Sequence, residues 1–266
     1  MYTFDYRRPT SLDEANRALA SLPGAKLLAG GQTLLPTMKQ RLNRPTALID
    51  LDAIANMKTI TTKDGMLVIG AMVTHYAVAN SAEVKTALKN LTVVAESIGD
   101  PHVRNRGTIG GSLANNDPAA DYPAAALALG AIFKTSKRVL TAEQFFQGLF
   151  TTALEESEIL TEIQFPLPKR FGYARFSNPA SRYALVGVAV AETANGVRVA
   201  VTGAGADGVF RVPAMETALS KSFAPNALTG ISVDPKTLGS DIHAAADYRA
   251  HLIGVMARQA VEMAAT

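Results

Sequence analysis

The sequence predicts an α+β fold, and three observations carry this prediction. Segments rich in β-branched residues come in adjacent pairs around short turns, whereas helical patterns cluster in blocks, so strands and helices do not strictly alternate. Hydrophobic residues make up 48% and charged residues 18% of the chain, which is typical of a folded protein. The length of 266 residues favours two domains over one.

The N-terminal part is predicted to form a small lobe. Ser11 and Glu14 have the spacing of a capping box at the start of a helix, which Pro23-Gly24 ends. AKLLAG at 25–30 follows as a short strand. A short helix in TLLPTMKQRL and a strand in ALIDL complete this lobe.

The next block is predicted to hold a hairpin, helices and three further strands. The hairpin turns at Lys63-Asp64-Gly65, and helical patterns cover 74–99. Asp117 and Pro118 are predicted to cap and begin a helix that ends at Gly130. The remaining strands are expected at 131–135, 138–141 and 158–165, with a short helix near AEQFFQG.

FPLPKRFG at 165–172, with two prolines, predicts the domain boundary. Beyond it we expect a hairpin turning at Asn195-Gly196, a helix from about Pro213 and a closing amphipathic helix. One face of that helix is expected to carry Tyr248, Leu252, Val255, Met256, Gln259 and Met263. The predicted domains are 1–167, with lobes of about 1–56 and 57–167, and 168–266.

The composition excludes several classes of function. The chain has no cysteine, which excludes disulfides, thiolate metal sites and any cysteine-ligated iron–sulfur cluster within it. The formal charge of +3 is scattered along the chain and gives no support to nucleic-acid binding. No apolar run is long enough to span a bilayer, and the N-terminus lacks the order of a signal peptide, so we expect a cytoplasmic protein.

LLAGGQTLLP at 27–36 predicts an anion-binding loop. Gly30 and Gly31 leave consecutive backbone N–H groups unobstructed between a strand and a helix, and such a nest can hold a phosphate. Gln32 and Thr33 add side-chain donors. An ordinary tight turn has the same pattern, and the motif alone does not decide between the two.

TIGGSLANNDPAADYPAAALALG at 108–130 offers this chemistry a second time. Gly110-Gly111 would let a ligand lie against the main chain, beside the hydroxyls of Thr108 and Ser112. The candidate partners for sugar hydroxyls are Asn115, Asn116, Asp117 and Asp121, of which Asp117 is the expected helix cap and Asp121 the better acceptor. Two such nests suit a dinucleotide such as FAD, whose pyrophosphate needs donors from two sides.

Other motifs are weaker. GAGADG at 203–208 matches the Rossmann glycine pattern, but VFRVP follows it instead of a helix, so we predict a loop. The four histidines have no metal-ligand spacing, and each is expected to be a surface residue or a satisfied core residue. His102 is the one closest in sequence to the second glycine motif.

Together, LLAGGQTLLPTMKQRL and VRNRGTIGGSLANNDPAADYPAAALALGA resemble the FAD-binding medium subunit of the molybdenum hydroxylases, a family that includes carbon monoxide dehydrogenase and xanthine dehydrogenase. The resemblance extends to FDYRRPTSLDEA at the start and ADYRAHLIGVMARQAV near the end. It implies a two-lobed FAD-binding domain of the vanillyl-alcohol-oxidase (PCMH) type, followed by a small α+β C-terminal domain.

The resemblance also implies a division of labour between chains. A large subunit would carry the molybdenum cofactor, and a small subunit would carry 2Fe–2S clusters. Electrons would pass from these clusters to non-covalent FAD in this chain and then to an external acceptor. The assembly would be a heterotrimer, itself dimerised, and no residue of this chain would be catalytic or bind a metal.

The site residues follow from the resemblance position by position. The first pyrophosphate-binding segment would be Leu28, Ala29, Gly30, Gly31, Gln32, Thr33, Leu34 and Leu35. The second would be Thr108, Ile109, Gly110, Gly111 and Ser112. Asp121 would bind FAD hydroxyls, Ile98 and Leu160 would line the cofactor, and Tyr183 would pack beside the isoalloxazine ring, with a plain strand-edge tyrosine as its alternative.

Two other functions stay open at this point. One is a stand-alone FAD-dependent oxidase or reductase of the same fold, and the other is a non-catalytic nucleotide-binding or assembly module. Replacing Gly110 and Gly111 by valine is expected to abolish FAD binding and leave the fold largely intact. Ser177 stands where some relatives have a lysine, so their flavin potential and electron acceptor do not transfer to this chain.

Overall fold

The computed structural model describes residues 1–265, and it shows the mixed strands and helices expected of an α+β protein. Three sheets follow one another along the chain: a three-stranded parallel sheet, a five-stranded antiparallel sheet and a four-stranded antiparallel sheet, besides a small two-stranded hairpin. The five-stranded and four-stranded sheets end and begin on either side of residue 167, and the division into domains there stays a prediction. Within this part of the chain no helix is both long and apolar enough to cross a membrane.

The strands lie at Asp5–Arg7 (β1), Lys26–Leu28 (β2), Ala47–Asp50 (β3), Ile60–Lys63 (β4), Met66–Gly70 (β5), Ile132–Thr135 (β6), Val139–Thr141 (β7), Phe146–Gly148 (β8), Thr151–Thr152 (β9), Leu160–Pro166 (β10), Arg170–Ser177 (β11), Ala184–Thr193 (β12), Gly196–Thr202 (β13) and Phe210–Arg211 (β14). The α-helices lie at Leu12–Ser21 (α1), Leu34–Lys39 (α2), His75–Asn80 (α3), Ala82–Ala87 (α4), Lys89–Ser97 (α5), Pro101–Arg106 (α6), Ile109–Asn115 (α7), Tyr122–Leu129 (α8), Ala142–Phe145 (α9), Pro213–Lys221 (α10) and Ala246–Ala264 (α11). Short 3₁₀ helices lie at Leu51–Ala53, Ala55–Lys58, Pro225–Leu228 and Pro235–Thr237.

The N-terminal lobe is a parallel sheet of order β1-β3-β2 with α1 against it. Ser11 caps α1 as predicted, because its side chain accepts a hydrogen bond from the N–H of Glu14 at 3.2 Å. Glu14 does not complete the capping box; its carboxylate accepts from the N–H of Thr10 at 2.8 Å instead. Since β2 ends at Leu28, the first glycine motif follows directly after this strand and lies at the edge of the lobe.

The second block is built on the antiparallel sheet β4-β5-β10-β6-β7. Its first hairpin turns on two residues, Asp64 and Gly65, since Lys63 already pairs with Met66. Both turn residues have left-handed backbones, with φ of 52° and 73°, as a tight hairpin requires. The predicted helical stretch is divided into the short helices α3, α4 and α5.

The helix predicted to begin at Asp117 and Pro118 begins instead at Tyr122, so Asp117 is not a helix cap. Asp117 accepts the N–H of Ala119 at 2.9 Å in a turn of its own. The carbonyl oxygen of Pro118 accepts the N–H of Gly203 at 2.7 Å. A tertiary hydrogen bond therefore holds this segment out of the helix, which a capping pattern cannot reveal.

Helix α8 is fully buried because it lies between the second block and the C-terminal sheet. It ends at Gly130, in a left-handed conformation with φ of 64°, as predicted. Successive side chains of β12 therefore belong to two different cores. Val188 and Val190 pack with the helices α10 and α11, whereas Ala189 and Ala191 belong to the core around α8. Small residues on the α8 side let the helix approach the sheet closely.

The C-terminal sheet has the order β11-β12-β13-β14. Its central hairpin turns one residue earlier than predicted, on Ala194-Asn195, because Thr193 pairs with Gly196. The GAGADG segment is a loop that leads into β14, as predicted.

The buried face of α11 differs from the predicted one. Tyr248 is 43% exposed and Gln259 is exposed, whereas Ala257 and Ala260 are fully buried. A Cβ on Gly172 in β11 would fall 1.9 Å from the carbonyl oxygen of Ala260, so backbone meets backbone at this contact. The small residues of α11 face the sheet because only they let the helix backbone approach β11 so closely. A hydrophobicity pattern instead predicts that the larger side chains are buried, so it gave a different face.

We expect Gly172→Ala to lower the free energy of unfolding by about 3 kcal/mol, since an overpacked contact between two backbones cannot relax by side-chain rotation. The matched control is Gly254→Ala in α11, where the nearest atom to an added Cβ is Nη1 of Arg258 at 3.7 Å. That variant should raise the free energy of unfolding by about 0.5–1 kcal/mol, because alanine favours the helix. Urea denaturation followed by circular dichroism compares them, and equal shifts in the two variants would contradict this packing.

Candidate functional site

A cleft of about 1400 Å³ lies between the N-terminal lobe, the second block and the edge of the C-terminal sheet. Its lining includes most of the residues that the resemblance implies: Ala29, Gly30, Gly31, Gln32, Thr33, Leu34, Ile98, Thr108, Gly110, Gly111, Ser112, Asp121, Leu160 and Tyr183. The cleft is not lined by Leu28, Leu35 or Ile109. A Cβ on Gly31 would touch the side chains of Leu28 and Leu35, which therefore pack behind the loop, and Ile109 is fully buried in the core.

The two glycine motifs, residues 29–33 and 108–112, meet within this cleft. A Cβ on Gly30 would fall 2.2 Å from the carbonyl oxygen of Arg106 and 2.6 Å from Cα of Gly107. A Cβ on Gly111 would lie 3.4 Å from Cβ of Ala29. The two motifs lie against each other in one cleft, and the glycines are what permit the contact.

The first motif presents unpaired backbone donors. Gly31 has a φ of 72°, which favours glycine. Among residues 1–265 the backbone N–H groups of Gly30, Gly31, Gln32 and Thr33 have no acceptor, and the Thr33 side chain does not cap α2. Consecutive unpaired N–H groups of this kind form an anion-binding nest. Because α2 has only six residues, the loop itself would supply the attraction for an anion.

The second motif lies in the first turn of α7, and its N–H groups are already paired. Those of Ile109 and Gly110 donate at 3.0 Å to carbonyl oxygens of the segment after β5. The N–H of Gly111 donates at 3.0 Å to Oγ1 of Thr108, and that of Ser112 donates at 3.0 Å to the carbonyl oxygen of Thr108. The expectation of a second nest of free N–H groups is therefore wrong.

The second motif lines the cleft with hydroxyl groups and with Gly111. Gly110 is buried, and a Cβ on it would fall 2.4 Å from Cβ of Ala71, so packing requires this glycine. The Thr108 hydroxyl accepts from Gly111 and keeps its own proton to donate, and the Ser112 hydroxyl is a second donor. The two glycines thus have different roles.

Asp121 is buried, and its carboxylate already has protein partners. The Tyr173 hydroxyl donates to Oδ1 at 2.5 Å, and Nη1 of Arg175 lies 3.0 Å from both carboxylate oxygens. Arg175 also donates to the carbonyl oxygen of Ser97, which ties β11 to both α5 and α8. Burial raises the pKa of the Asp121 carboxyl, and the Arg175 guanidinium opposes that rise. Since Oδ2 accepts only one of these bonds, it retains capacity for another donor.

Arg175 and Tyr173 are site residues that the sequence analysis missed. Arg175 lines the cleft beside Asp121. Both stand in β11, far along the chain from Asp121, and no spacing rule connects a strand residue with a helix start in another part of the fold. An arginine and a tyrosine in a largely buried strand were the only available signal.

Asn116 holds the β8–β9 hairpin at the rim of the cleft. Its backbone is left-handed, with φ of 44°, and its side-chain amide donates to the carbonyl oxygens of Gly148 at 2.7 Å and Thr151 at 2.9 Å. The candidate role of Asn116 as a partner for sugar hydroxyls is therefore wrong. Its neighbours Asn115 and Asp117 do line the cleft.

Tyr183 stands at the opening of the cleft on the C-terminal side and is 54% exposed. Its place is fixed by the loop between β11 and β12, in which the N–H of Asn178 donates to the carbonyl oxygen of Tyr183 at 2.8 Å. Arg182, with φ of 62°, makes the turn into β12. Burial and the nearby charge of Asp117 raise the pKa of Tyr183, so its hydroxyl remains a hydrogen-bond donor.

His75 is a buried residue of the cleft wall, contrary to the expectation of a surface or satisfied histidine. A Cβ on Gly107 would fall 2.7 Å from its Nε2, so the imidazole lies directly behind the crossing of the two motifs. Nδ1 has no partner among residues 1–265, and the ring centroid lies 5.4 Å from that of Tyr122. Burial, with a smaller effect of the Arg104 charge, lowers the pKa of His75 to about 4. His102 is exposed and does not line the cleft.

Known proteins resemble this chain over its full length. Residues 2–168 match the family described as the FAD binding domain in molybdopterin dehydrogenase. The carbon monoxide dehydrogenase medium chain of Afipia carboxidovorans is 34% identical, over 98% of this chain and 96% of the relative. The nicotine 6-hydroxylase medium subunit of Paenarthrobacter nicotinovorans is 34% identical, over 96% and 95%. A chain of reconstituted CO dehydrogenase from Oligotropha carboxidovorans superposes with a TM-score of 0.90 at 32% identity, over 99% and 98% of the two chains.

We expect the fold to lose stability as the pH falls from 6.5 towards 4. The unfolded chain protonates His75 at about its ordinary pKa, whereas the folded chain resists protonation down to about 4. The contribution of neutral His75 to the free energy of unfolding is therefore complete above pH 6.5. Its loss as the pH falls to 4 lowers the free energy of unfolding by about 3 kcal/mol.

In His75→Leu this part of the pH dependence should disappear from urea unfolding curves measured between pH 4 and 7. His102→Leu is the control, since it removes an imidazole from the surface instead. A His75→Leu profile that matches the wild type would show that the buried imidazole does not resist protonation.

Proposed function

The chain belongs to the FAD-binding medium subunits of the molybdenum hydroxylases, and from this membership we propose that it carries the flavin and relays electrons in such an enzyme. The observation that supports the proposal is the meeting of the two glycine motifs inside one cleft of about 1400 Å³. When bound, FAD supplies the redox chemistry. The residues of this chain bind it, orient it and tune it.

The donors of the two motifs suit a pyrophosphate. On one side are the unpaired N–H groups of Gly30, Gly31, Gln32 and Thr33. On the other are the hydroxyls of the second motif, with Gly111 beside them in the lining of the cleft. Hydrogen bonds to a charged acceptor contribute about 1.5–3 kcal/mol each, so a few of them anchor the cofactor.

The rest of the cleft suits the remaining parts of FAD. Oδ2 of Asp121 has capacity for a hydroxyl donor, and the proposal places a flavin hydroxyl there. Ile98 and Leu160 provide apolar walls, and Tyr183 stands at the opening, where we place the isoalloxazine ring. The cleft thus combines an anion site with an apolar chamber, as a dinucleotide requires.

The chemistry of the chain also implies partners. Without cysteine it cannot ligate an iron–sulfur cluster through thiolates, so electrons would reach the flavin from clusters on another chain. The names of the relatives describe medium subunits of carbon monoxide dehydrogenase and nicotine 6-hydroxylase. We therefore propose a cytoplasmic heterotrimer with a large molybdenum-cofactor subunit and a small iron–sulfur subunit, dimerised further, that passes electrons to an external acceptor. We place the domain boundary at residue 167.

The decisive experiment isolates the complex from the native host through a tag on this chain. We expect one FAD per chain, iron in the same particle and two co-purifying chains, one larger and one smaller than this one. Flavin without iron, on a chain that purifies alone and is reduced by an organic substrate, would indicate a self-contained flavoenzyme. Absence of flavin from a complete complex would overturn the proposal.

Gly111→Val should weaken FAD binding by about 100-fold while the chain still folds, because the new side chain displaces the Thr108 hydroxyl, which lies 2.9 Å from the added Cβ. Gly110→Ala is the contrasting variant, since its Cβ would collide with Ala71 and destabilise the fold. The double valine variant suggested by the sequence is therefore a poor test. Fluorescence titration with FAD and thermal unfolding separate the two effects, and wild-type affinity in folded Gly111→Val would remove Gly111 from the site.

A further inference from the structure

Phe150 is an apolar side chain that lines the cleft and is nevertheless 60% exposed. It stands at the tip of the β8–β9 hairpin, with a left-handed backbone at φ of 52°. A bulky residue rarely adopts this conformation, because its Cβ meets the neighbouring peptide groups. Its position at the rim therefore needs a reason that the packing of the chain does not supply.

The surrounding hydrogen bonds fix this unfavourable conformation. Asn116 binds the hairpin on both sides of Phe150 through the carbonyl oxygens of Gly148 and Thr151. The N–H of Phe150 itself donates to the carbonyl oxygen of Asn116 at 3.1 Å. Strained residues that are held by several contacts occur preferentially where a ligand is bound.

The segment Asn116-Asp117 relates Phe150 to Tyr183. The N–H of Phe150 is bound to Asn116, and the next residue, Asp117, lies near enough to Tyr183 for its charge to act on the phenol. Both aromatic side chains are more than half exposed and both line the cleft. Two different segments of the fold therefore bring an exposed aromatic side chain to the same cleft, and both segments are in reach of Asn116-Asp117.

The neighbouring Leu149 provides a contrast within the same hairpin. It is 45% exposed but does not line the cleft. The left-handed backbone at Phe150 thus separates two adjacent apolar side chains, of which one is directed to the cleft.

We propose that Phe150 packs against the isoalloxazine ring of FAD and, with Tyr183, encloses that end of the cofactor. This inference rests on the proposed function. An exposed phenylalanine and an exposed tyrosine in one cleft can bind a planar aromatic ligand by offset or edge-to-face contact. Binding would bury the exposed ring of Phe150 and limit the access of water and small solutes to the flavin.

The test compares FAD-loaded full-length wild type, Phe150→Ala and Leu149→Ala. Because the ring of Phe150 would cover part of the flavin, Phe150→Ala should increase the quenching of bound FAD emission by iodide severalfold. It should also weaken FAD binding by about tenfold. Leu149→Ala should match the wild type in both readouts, and Phe150→Tyr, which keeps an aromatic ring there, should restore the protection from iodide.

The outcomes separate this inference from the proposed function. If wild type binds FAD but Phe150→Ala behaves like Leu149→Ala, the inference is overturned and the proposed function stands. The inference is also overturned if Phe150→Ala only loses a partner subunit and the iodide quenching of its flavin is unchanged, since Phe150 would then be a subunit contact. A wild-type protein that binds no FAD, alone or in its complex, would overturn both.

Discussion

The backbone crossing at Gly30 and Gly107 is the constraint on which the rest of the cleft depends. The N-terminal parallel sheet and the antiparallel block touch there without intervening side chains, and a Cβ on Gly30 would lie only 2.2 Å from the carbonyl oxygen of Arg106. This contact sets the unpaired N–H groups of residues 30–33 opposite the hydroxyls of Thr108 and Ser112. The proposed anion site is thus made by the way two lobes meet, and neither lobe contains it alone.

A buried ion pair extends this geometry to the C-terminal sheet. Asp121 at the start of α8 is bound by Arg175 and Tyr173 of β11, so the strand that leads to Tyr183 is tied to the helix beneath the cleft. Such pairs contribute little net stability, but removing one partner leaves a buried charge and is costly. The pair therefore specifies position: it holds the C-terminal sheet against the cleft that Tyr183 and Phe150 line.

The sequence predicted local elements well and tertiary contacts poorly, for a physical reason. The α1 cap at Ser11 and the end of α8 at Gly130 depend on neighbours along the chain, and both were predicted. Three other features depend on partners from distant segments, and no local pattern predicts them. They are the start of α8, the paired N–H groups of α7 and the hydrogen-bond partners of Asp121. The common cleft of the two glycine motifs was expected because the same donor chemistry occurs twice, although either motif alone has the pattern of an ordinary tight turn.

The central claim is that one dinucleotide spans the cleft, anchored by its pyrophosphate at the crossing of the two motifs. Titration of the flavin-depleted protein with FAD, FMN and ADP tests it most directly. The account predicts that FAD binds one per chain, that ADP competes with it, and that FMN, which lacks the pyrophosphate bridge, binds about 100-fold more weakly. Equal affinity for FMN and FAD, with no competition by ADP, would contradict it.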